Sequence, residues 1–330
     1  MKKVIIMVLA AVLTVSMFST CSKKSSSPSS PGTVPTVDTT PSGTIWAEAT
    51  GSAGFGARAY PGGLVYNNMM WVIGGLSNAG YQHDVWSSSD GASWTEVTAA
   101  AAFGIRNQFG TLVYNNMMWV IAGGAGGTYY SDVWSSGDGN SWTQATGAAA
   151  FLNRMDFGSV VYNNQMWVIG GYNGGSEMKD VWYSSDGASW GCTTTAAGFS
   201  AREGFGSLAY NNKMWVIGGW VGGSRVNDVW SSSDGTSWTE VTSTAAFDAR
   251  NYFGCFIYNN QMWVAGGNDG NVVQNDVWSS GDGKTWTKAP VTGSGFTARE
   301  GPASLAYNSK MWVMTGNGTS GYLSDVWWSQ

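Results

Sequence analysis

Six of the seven arginines fall at one position of a repeated F-x-x-R motif, and their type and spacing suggest binding chemistry. A guanidinium group presents a planar fork of donors that matches carboxylate and phosphate oxygens. Six such groups on one surface predict a site for an anionic or polar ligand. The six arginines are Arg58, Arg106, Arg154, Arg202, Arg250 and Arg299.

A structural role for the same arginines is the alternative, and the sequence leaves it open. Each repeat also contains an aspartate before a Val-Trp pair, and such a carboxylate can pair with an arginine. A role in packing recurs in every repeat, as these arginines do. The aspartates are Asp84, Asp132, Asp180, Asp228, Asp276 and Asp325.

The elements that position these residues are short β-strands. The motif VYNNMMWVIGG at residues 65–75 returns in five variants, and its tyrosine recurs every 48 or 49 residues. Each unit contains four strand-like runs, which we name a (ending in that tyrosine), b (MWVIGG), c (DVWSS) and d (SWTEVT). Asn-Asn between a and b, and Asp-Gly between c and d, accept the positive φ angles of tight hairpins. A period of this size is typical of propeller blades or solenoid units.

The Gly-Gly run, the variable loop and the Asp-Val-Trp strand, with a second Trp eight residues on, resemble the kelch repeat of the galactose oxidase central-domain type. The resemblance covers residues 44–330 and implies an all-β, six-bladed β-propeller of four-stranded antiparallel blades. The sixth repeat ends after strand c, so the N-terminal segment TIWAEAT is expected to complete the last blade and close the ring. Five repeats carry a glycine pair and the sixth keeps one glycine: Gly74 and Gly75, Gly123 and Gly124, Gly170 and Gly171, Gly218 and Gly219, Gly266 and Gly267, and Gly316.

One face of such a propeller is the expected binding surface. Because neighbouring strands are antiparallel, the d-to-a and b-to-c connections emerge on the same face. Strand a is innermost in kelch-like propellers, which implies that the six arginines ring the mouth of a central channel. We therefore expect a monomeric, non-catalytic module that binds a protein or glycan without a cofactor. Aromatic residues at unmatched loop positions extend the expected site: Tyr129, Tyr130, Tyr172 and Trp220.

Tryptophan is unusually frequent, with 20 residues in the chain. Most of these residues recur at one position in each of strands b, c and d, where they are either stacking platforms for sugars or packing groups between blades. Their location within strands rather than at loop tips favours packing.

Enzymatic functions have weaker support. The copper chemistry of galactose oxidase is excluded because His83 is the only histidine, and no metal site is expected. The SSDGASW turn is similar to the Asp box of sialidases but lacks one residue, so a sialidase-like carbohydrate-active enzyme is the alternative. A glycosidase needs two facing carboxylates. The acids at irregular positions are scattered among the repeats, although Glu203 and Glu300 follow the repeat arginine and are candidates for the channel mouth.

The N-terminus has the pattern of an export signal. Residues 1–21 combine Met-Lys-Lys with an apolar run and end in FSTC, which resembles a bacterial lipobox with Cys21 as the lipidated residue. Ordinary secretion is the alternative, because Phe18 and Thr20 depart from the usual lipobox. Residues 22–43 are rich in Ser, Pro and Thr and predict a solvated tether. We therefore expect a lipid-anchored protein of the bacterial cell envelope, with no other membrane contact.

Charge and cysteine usage add two expectations. The net charge of -5 provides no basic surface for nucleic acid. Cys192 and Cys255 occupy different positions of the repeat, so a disulfide between them is not expected.

Overall fold

The computed structural model describes residues 45–291 and 295–330, and every regular element in these ranges is a β-strand. The predicted signal peptide, Cys21 and the tether lie outside the described residues. Within the described ranges, no helix is long and apolar enough to cross a membrane. The predicted all-β class is confirmed, and four-stranded antiparallel sheets recur along the chain.

The strands follow the predicted order a, b, c, d in successive sheets. The N-terminal strand and the first sheet comprise β1 (Trp46–Thr50), β2 (Arg58–Ala59), β3 (Gly62–Tyr66), β4 (Met69–Ser77), β5 (Gly80–Ser88) and β6 (Thr95–Thr98). The second and third sheets comprise β7 (Gly110–Tyr114), β8 (Met117–Ala125), β9 (Thr128–Ser136), β10 (Thr143–Thr146), β11 (Gly158–Tyr162), β12 (Gln165–Tyr172), β13 (Glu177–Ser184) and β14 (Gly191–Thr194).

The second half of the described chain continues the same pattern. The fourth and fifth sheets comprise β15 (Gly206–Tyr210), β16 (Lys213–Val221), β17 (Ser224–Ser232), β18 (Thr239–Thr242), β19 (Gly254–Tyr258), β20 (Gln261–Ala265), β21 (Val277–Ser280) and β22 (Thr287–Lys288). The last repeat comprises β23 (Arg299–Glu300), β24 (Ala303–Tyr307), β25 (Lys310–Met314), β26 (Asn317–Gly318), β27 (Gly321–Tyr322) and β28 (Val326–Ser329). Strands β23, β26 and β27 form a small sheet of their own, and β2 pairs with the end of β4.

The N-terminal strand β1 is the outer strand of the sixth sheet, whose order is β1-β28-β25-β24. Trp46 pairs with Ser329 at the start of this ladder. The Trp46 ring lies edge-on to Phe296 with 4.8 Å between centroids, and Trp94 makes the same contact with Phe55 in the first repeat at 4.9 Å. Residues 46–50 therefore occupy the place of strand d in the sixth repeat.

The Asn-Asn turns have the predicted geometry, whereas the Asp-Gly turns do not. Asn67 and Asn68 both take positive φ angles, 48° and 55°, as a two-residue turn between twisted strands requires. The Asp-Gly pair instead lies in a longer loop between Ser88 and Thr95. There Oδ1 of Asp90 accepts hydrogen bonds from the backbone amides of residues 92 and 93, each at 2.9 Å. These bonds lower the pKa of Asp90, so the aspartate organises a wide turn and does not close a tight hairpin.

The glycine pair lies at a bulge in strand b, and the bulge also forms where another residue replaces the first glycine. Gly74 and Gly75 have φ angles of 53° and 103° where the register between β4 and β5 shifts. In the second repeat the residue with the first of these conformations is Ala122, at 53°, so the predicted pairing of Gly123 with Gly124 is shifted by one position. Thr315 takes the same conformation in the sixth repeat, at 59°. The bulge therefore survives where the glycine does not.

The hydrophobic core lies between neighbouring sheets. Trp71, fully within strand b, packs beside Met118 of the second sheet and donates its indole N–H to the Tyr66 carbonyl at 2.9 Å. Its ring covers Gly139 in the next Asp-Gly loop, where an added Cβ would lie 2.3 Å from the ring. The equivalent contact in the last repeat places Trp312 over Gly91 of the first sheet. The strand b tryptophans therefore pack between neighbouring sheets, and the loop residue beneath each ring is glycine because a larger side chain would clash with the ring.

The tyrosine that ends strand a links each sheet to the next. Tyr66 donates its hydroxyl hydrogen to the carbonyl of Asn116 at 2.8 Å, and the same bond recurs from sheet to sheet. In the last repeat Tyr307 donates to Asn68 of the first sheet at 2.7 Å. Cys192 and Cys255 are both free thiols.

Candidate functional site

The six repeat arginines are buried, and the terminal nitrogens of each guanidinium donate to protein oxygens, while the Nε groups of Arg58 and Arg106 have no partner among the described residues. Their side chains are 0–3% exposed, and each forms an ion pair of 2.5 to 2.8 Å with the aspartate that precedes the Val-Trp pair of strand c. Each guanidinium also donates to a bulge carbonyl of strand b, at 2.7 to 3.0 Å. The indole N–H of the strand c tryptophan donates to the same aspartate. Each arginine therefore ties the d-to-a connection to strands b and c of its own sheet.

This geometry favours the structural alternative for the arginines. In the fourth repeat, the Arg202 side chain is bonded to Asp228, to the Gly218 carbonyl and to the Ser200 carbonyl. Phe199 lies beneath the guanidinium, 5.5 Å from its carbon to the ring centroid. Direct contact between a ligand and any of the six arginines stays a prediction.

The backbone turns sharply two residues after each repeat arginine. At this position every residue has a φ angle between 54° and 60°, in the left-handed region that side chains other than glycine rarely adopt. The backbone amide of each residue donates to the carbonyl of its counterpart in a neighbouring repeat, and the six bonds of 2.7 to 3.3 Å form a closed cycle. We name this set the central ring: Tyr60, Gln108, Asp156, Gly204, Tyr252 and Gly301.

The central ring borders a cavity of about 160 Å³. The residues that follow the ring positions, four phenylalanines and two prolines, complete its lining. Two glycines of the ring make room for its tyrosines, because an added Cβ would lie 2.8 Å from the Tyr252 ring at Gly204 and 2.4 Å from the Tyr60 ring at Gly301. The two tyrosine rings meet edge-on, with 5.2 Å between centroids. The scaffold is repeated six times, but the ring side chains differ, so the cavity is asymmetric.

Asp156 is the charged residue of the central ring and is only 8% exposed. Its Oδ2 accepts hydrogen bonds from the Gln108 amide at 2.9 Å and from the Tyr252 hydroxyl at 3.3 Å. Among the described residues, none donates to Oδ1. Burial raises the pKa of Asp156 well above its ordinary value, and the negative charge of Glu203 raises it further.

Two further carboxylates stand beside the ring. Burial and the nearby charge of Glu177 raise the pKa of Glu203 to about 7. On the other side, Glu300 accepts hydrogen bonds from the amides of Asn268 and Asn317, at 2.8 and 3.2 Å. Burial raises the pKa of the Tyr60 hydroxyl, and the charge of Glu300 and a hydrogen bond to it add to the shift. The titratable side chains beside the cavity are therefore acidic, whereas the sequence led us to expect a ring of arginines there.

The four aromatic residues predicted for the loops lie instead at the ends of strands, because strands b and c extend further than the sequence pattern indicated. Tyr129 and Tyr130 are in β9, Tyr172 is the last residue of β12, and Trp220 is in β16. Tyr129 and Tyr172 make an edge contact at 5.9 Å between ring centroids, although they come from the second and third sheets. Trp220 is stacked by the guanidinium of Arg225 at 5.0 Å. Tyr130 instead covers the buried guanidinium of Arg106 at 4.7 Å, which gives it a packing contact.

The strand ends that carry Tyr172 and Trp220 are hydrogen-bonded to the turns that carry the central ring. The Glu203 amide donates to the Trp220 carbonyl at 3.1 Å, and the Met155 amide donates to the Tyr172 carbonyl at 2.9 Å. Loops and ring therefore belong to the same face, as the strand directions predicted.

Sequence reasoning missed Tyr60, Gln108 and Tyr252. Their signal is visible once the repeats are aligned on the arginine, because the position two residues later holds a different side chain in most repeats. Divergence at one position of an otherwise repeated scaffold indicates that the repeated packing does not fix the side chain there. Glu203 and Glu300 were expected near the channel mouth, and both lie beside the ring.

Metal chemistry has no donor set here. Within the described ranges, no group of three or more His, Cys, Asp or Glu side chains is arranged to hold a metal ion. The His83 imidazole contacts a nearby backbone group, with its Nδ1 3.3 Å from the Ala101 carbonyl oxygen.

Comparison with known proteins indicates a kelch-repeat family for part of the chain. A family model described as the KLHDC2/KLHL20/DRC7 Kelch-repeats domain matches residues 136–280, which is less than half of the chain. Among curated proteins, none matches the chain. The matched region spans strands of the second to fifth sheets, where the repeated pattern of four strands is regular. The family match and the repeated four-stranded sheets together support a kelch β-propeller.

Proposed function

We propose that the six sheets are the blades of a single closed β-propeller and that β1 completes the last blade. Two hydrogen-bond cycles support this arrangement. The backbone cycle of the central ring joins all six repeats, and the tyrosine hydroxyl bonds return from Tyr307 to Asn68 of the first sheet. Closure in this way leaves no sheet edge between the first and last blades.

The function that this geometry supports best is a non-catalytic binding module. Kelch repeats generally mediate protein interactions, which supports a protein ligand, and a glycan is the second class of ligand. The observation that carries the proposal is the asymmetric cavity at the central ring, because its side chains vary where the surrounding scaffold repeats. Loops on a rigid scaffold are the usual place for specificity. We propose that the d-to-a and b-to-c loops form the binding face, with Tyr129, Tyr172 and Trp220 beside the cavity.

Substitution of Trp220 and Tyr172 tests the binding face. With a ligand selected from peptide and glycan arrays, Trp220→Ala combined with Tyr172→Ala is expected to reduce affinity at least tenfold, because large aromatic contacts dominate binding energy. Circular dichroism should be unchanged. The matched control is Asn140→Ala, an exposed residue in an Asp-Gly loop at the opposite end of the strands. Unchanged affinity in the double variant with a folded protein would place the ligand elsewhere.

A carbohydrate-active enzyme is the alternative, and one observation favours it. Asp156 and Glu203 are neighbouring carboxyl groups with raised pKa values, a property of general acids. A panel of fluorogenic glycosides separates the two functions. Hydrolysis by the wild type that is lost in Asp156→Asn supports the enzyme. A wild type that hydrolyses none of the glycosides supports the binding module.

We also propose that the protein is exported and anchored in the bacterial envelope through a lipid on Cys21. The support is the short apolar segment ending in FSTC and the polar tether that follows. The full chain is expected to incorporate a fatty-acid probe and to partition into detergent, and Cys21→Ala should abolish labelling. Equal labelling of that variant would contradict the anchor.

A further inference from the structure

The central cavity combines aromatic and proline side chains with polar groups of the central ring, one of which is a buried carboxylate. Four phenylalanines and two prolines line its wall, and Asp156 is the only charged residue of the lining. Both hydrogen bonds to that carboxylate reach Oδ2, from Gln108 and Tyr252. Within the part of the chain that the structure describes, Oδ1 receives no donor. A buried carboxylate oxygen at a cavity wall is strongly stabilised by a cationic donor.

We propose that this cavity binds a basic side chain of a protein partner, with the cation pairing with Asp156 and the alkyl stem lying against Tyr60 and Tyr252. The inference rests on the proposed binding face and specifies the chemistry that it recognises. Aromatic rings and carboxylates around one small site are the usual environment for an ammonium or guanidinium group.

The charges near the cavity agree with a cationic ligand. Glu203 and Glu300 stand beside the ring, and both add negative potential at the mouth. The six repeat arginines cannot offset this potential, because each is neutralised by its aspartate. Arg225 stacks on Trp220 and donates to the side chain of Asn251 at 3.1 Å. These charges therefore support a basic ligand, whereas the sequence led us to expect an anionic or polar one.

A basic protein side chain fits this lining better than an amino sugar. A sugar ring carries several hydroxyl groups, each of which needs a hydrogen-bond partner when it is buried. The polar side chains of the lining are those of the central ring, and Gln108 and Tyr252 are already engaged with Asp156. A lysine or arginine side chain brings one cationic group on an apolar stem, which matches one carboxylate beside the aromatic rings of the lining.

The simplest probe is n-butylammonium chloride, titrated into the full chain by calorimetry. Saturable binding is expected, while the neutral isostere 1-butanol should bind at least tenfold more weakly. Asp156→Asn should reduce the n-butylammonium affinity at least tenfold, because the pairing charge is lost. The asparagine carbonyl can still accept the bonds from Gln108 and Tyr252, so the fold should be kept. Asp248→Asn, an exposed acid on an equivalent loop, is the matched control and should bind as the wild type does.

The affinity for n-butylammonium is expected to rise between pH 6 and pH 8. The groups facing Asp156 are Glu203, Gln108 and the hydroxyls of Tyr252, Tyr60 and Tyr129, and Glu177 acts on Glu203. A carboxyl group attracts the cation only when it is ionised, so both raised pKa values weaken binding at lower pH. Glu203→Gln should flatten this pH profile, while a role confined to packing would leave the profile unchanged.

Peptides then identify the source of the cation. Arrays with a central lysine or arginine should retain the full chain, and matched arrays with acetyl-lysine or citrulline should not. Binding to glucosamine oligomers in preference to these peptides would overturn the assignment to a protein side chain. Absence of n-butylammonium binding would overturn the inference altogether, while loss of an array ligand in the Trp220 and Tyr172 variant would leave the binding face itself standing.

Discussion

Replacing Arg202 with methionine is expected to lower the free energy of unfolding by about 3 to 5 kcal/mol, the range for removing one partner of a buried ion pair. The substitution leaves Asp228 without its cation and leaves the carbonyls of Gly218 and Ser200 without the donors that satisfy them. Methionine retains much of the side-chain volume, so the loss reports the polar contacts rather than a cavity. Denaturant unfolding followed by tryptophan fluorescence measures the effect.

Lys288 provides the matched control for this experiment. Its ammonium lies 3.6 Å from the carboxylate of Asp276, but its side chain is 58% exposed. Because an exposed ion pair contributes about 0 to 1 kcal/mol, Lys288→Met should change stability little. A stable Arg202→Met protein that has lost ligand affinity would contradict the structural role and restore the ligand-facing one.

The repeated sequence predicted strands well because every repeat states the same pattern. Six copies of a tyrosine before Asn-Asn, or of Asp-Val-Trp, remove the ambiguity that one short apolar run leaves. Prediction was weaker where the backbone shape depends on neighbours. Asp90 organises a wide loop through hydrogen bonds to successive amides, and the Asp-Gly pair alone does not distinguish this loop from a tight hairpin.

The site was harder to predict than the strands, for two physical reasons. The direction of an arginine side chain is set by the acceptors around it, and the bulge carbonyl and strand c aspartate that hold Arg58 become its neighbours only in the folded sheet. The central ring depends on contacts between residues 48 or more positions apart, such as Gln108 with Asp156 and Tyr252 with Asp156. Spacing indicated the face, but not which side chains meet there.

Trp46→Ala is expected to destabilise the protein by about 3 to 5 kcal/mol, the range for removing a large aromatic side chain from a core. Trp46 is only 5% exposed, packs edge-on against Phe296 and belongs to the cluster that contains Trp263 and Val313. If the N-terminal strand only lay on the surface, the substitution would change the free energy of unfolding little. Thermal and denaturant unfolding of the full chain measure the loss.

A substitution at the neighbouring residue Ile45 is the control that distinguishes the proposed closure of the propeller from a general effect of changing the N-terminal strand. Its side chain is 57% exposed, so Ile45→Ala should change the free energy of unfolding by no more than about 0.5 kcal/mol. Deleting residues 44–53 should be worse than Trp46→Ala, because it also removes the ladder between β1 and β28 and leaves an open sheet edge. Aggregation or a sharply lower melting temperature is the expected result. If the shortened protein melts with the wild type, residues 46–50 do not close the propeller and the last blade is stable with three strands.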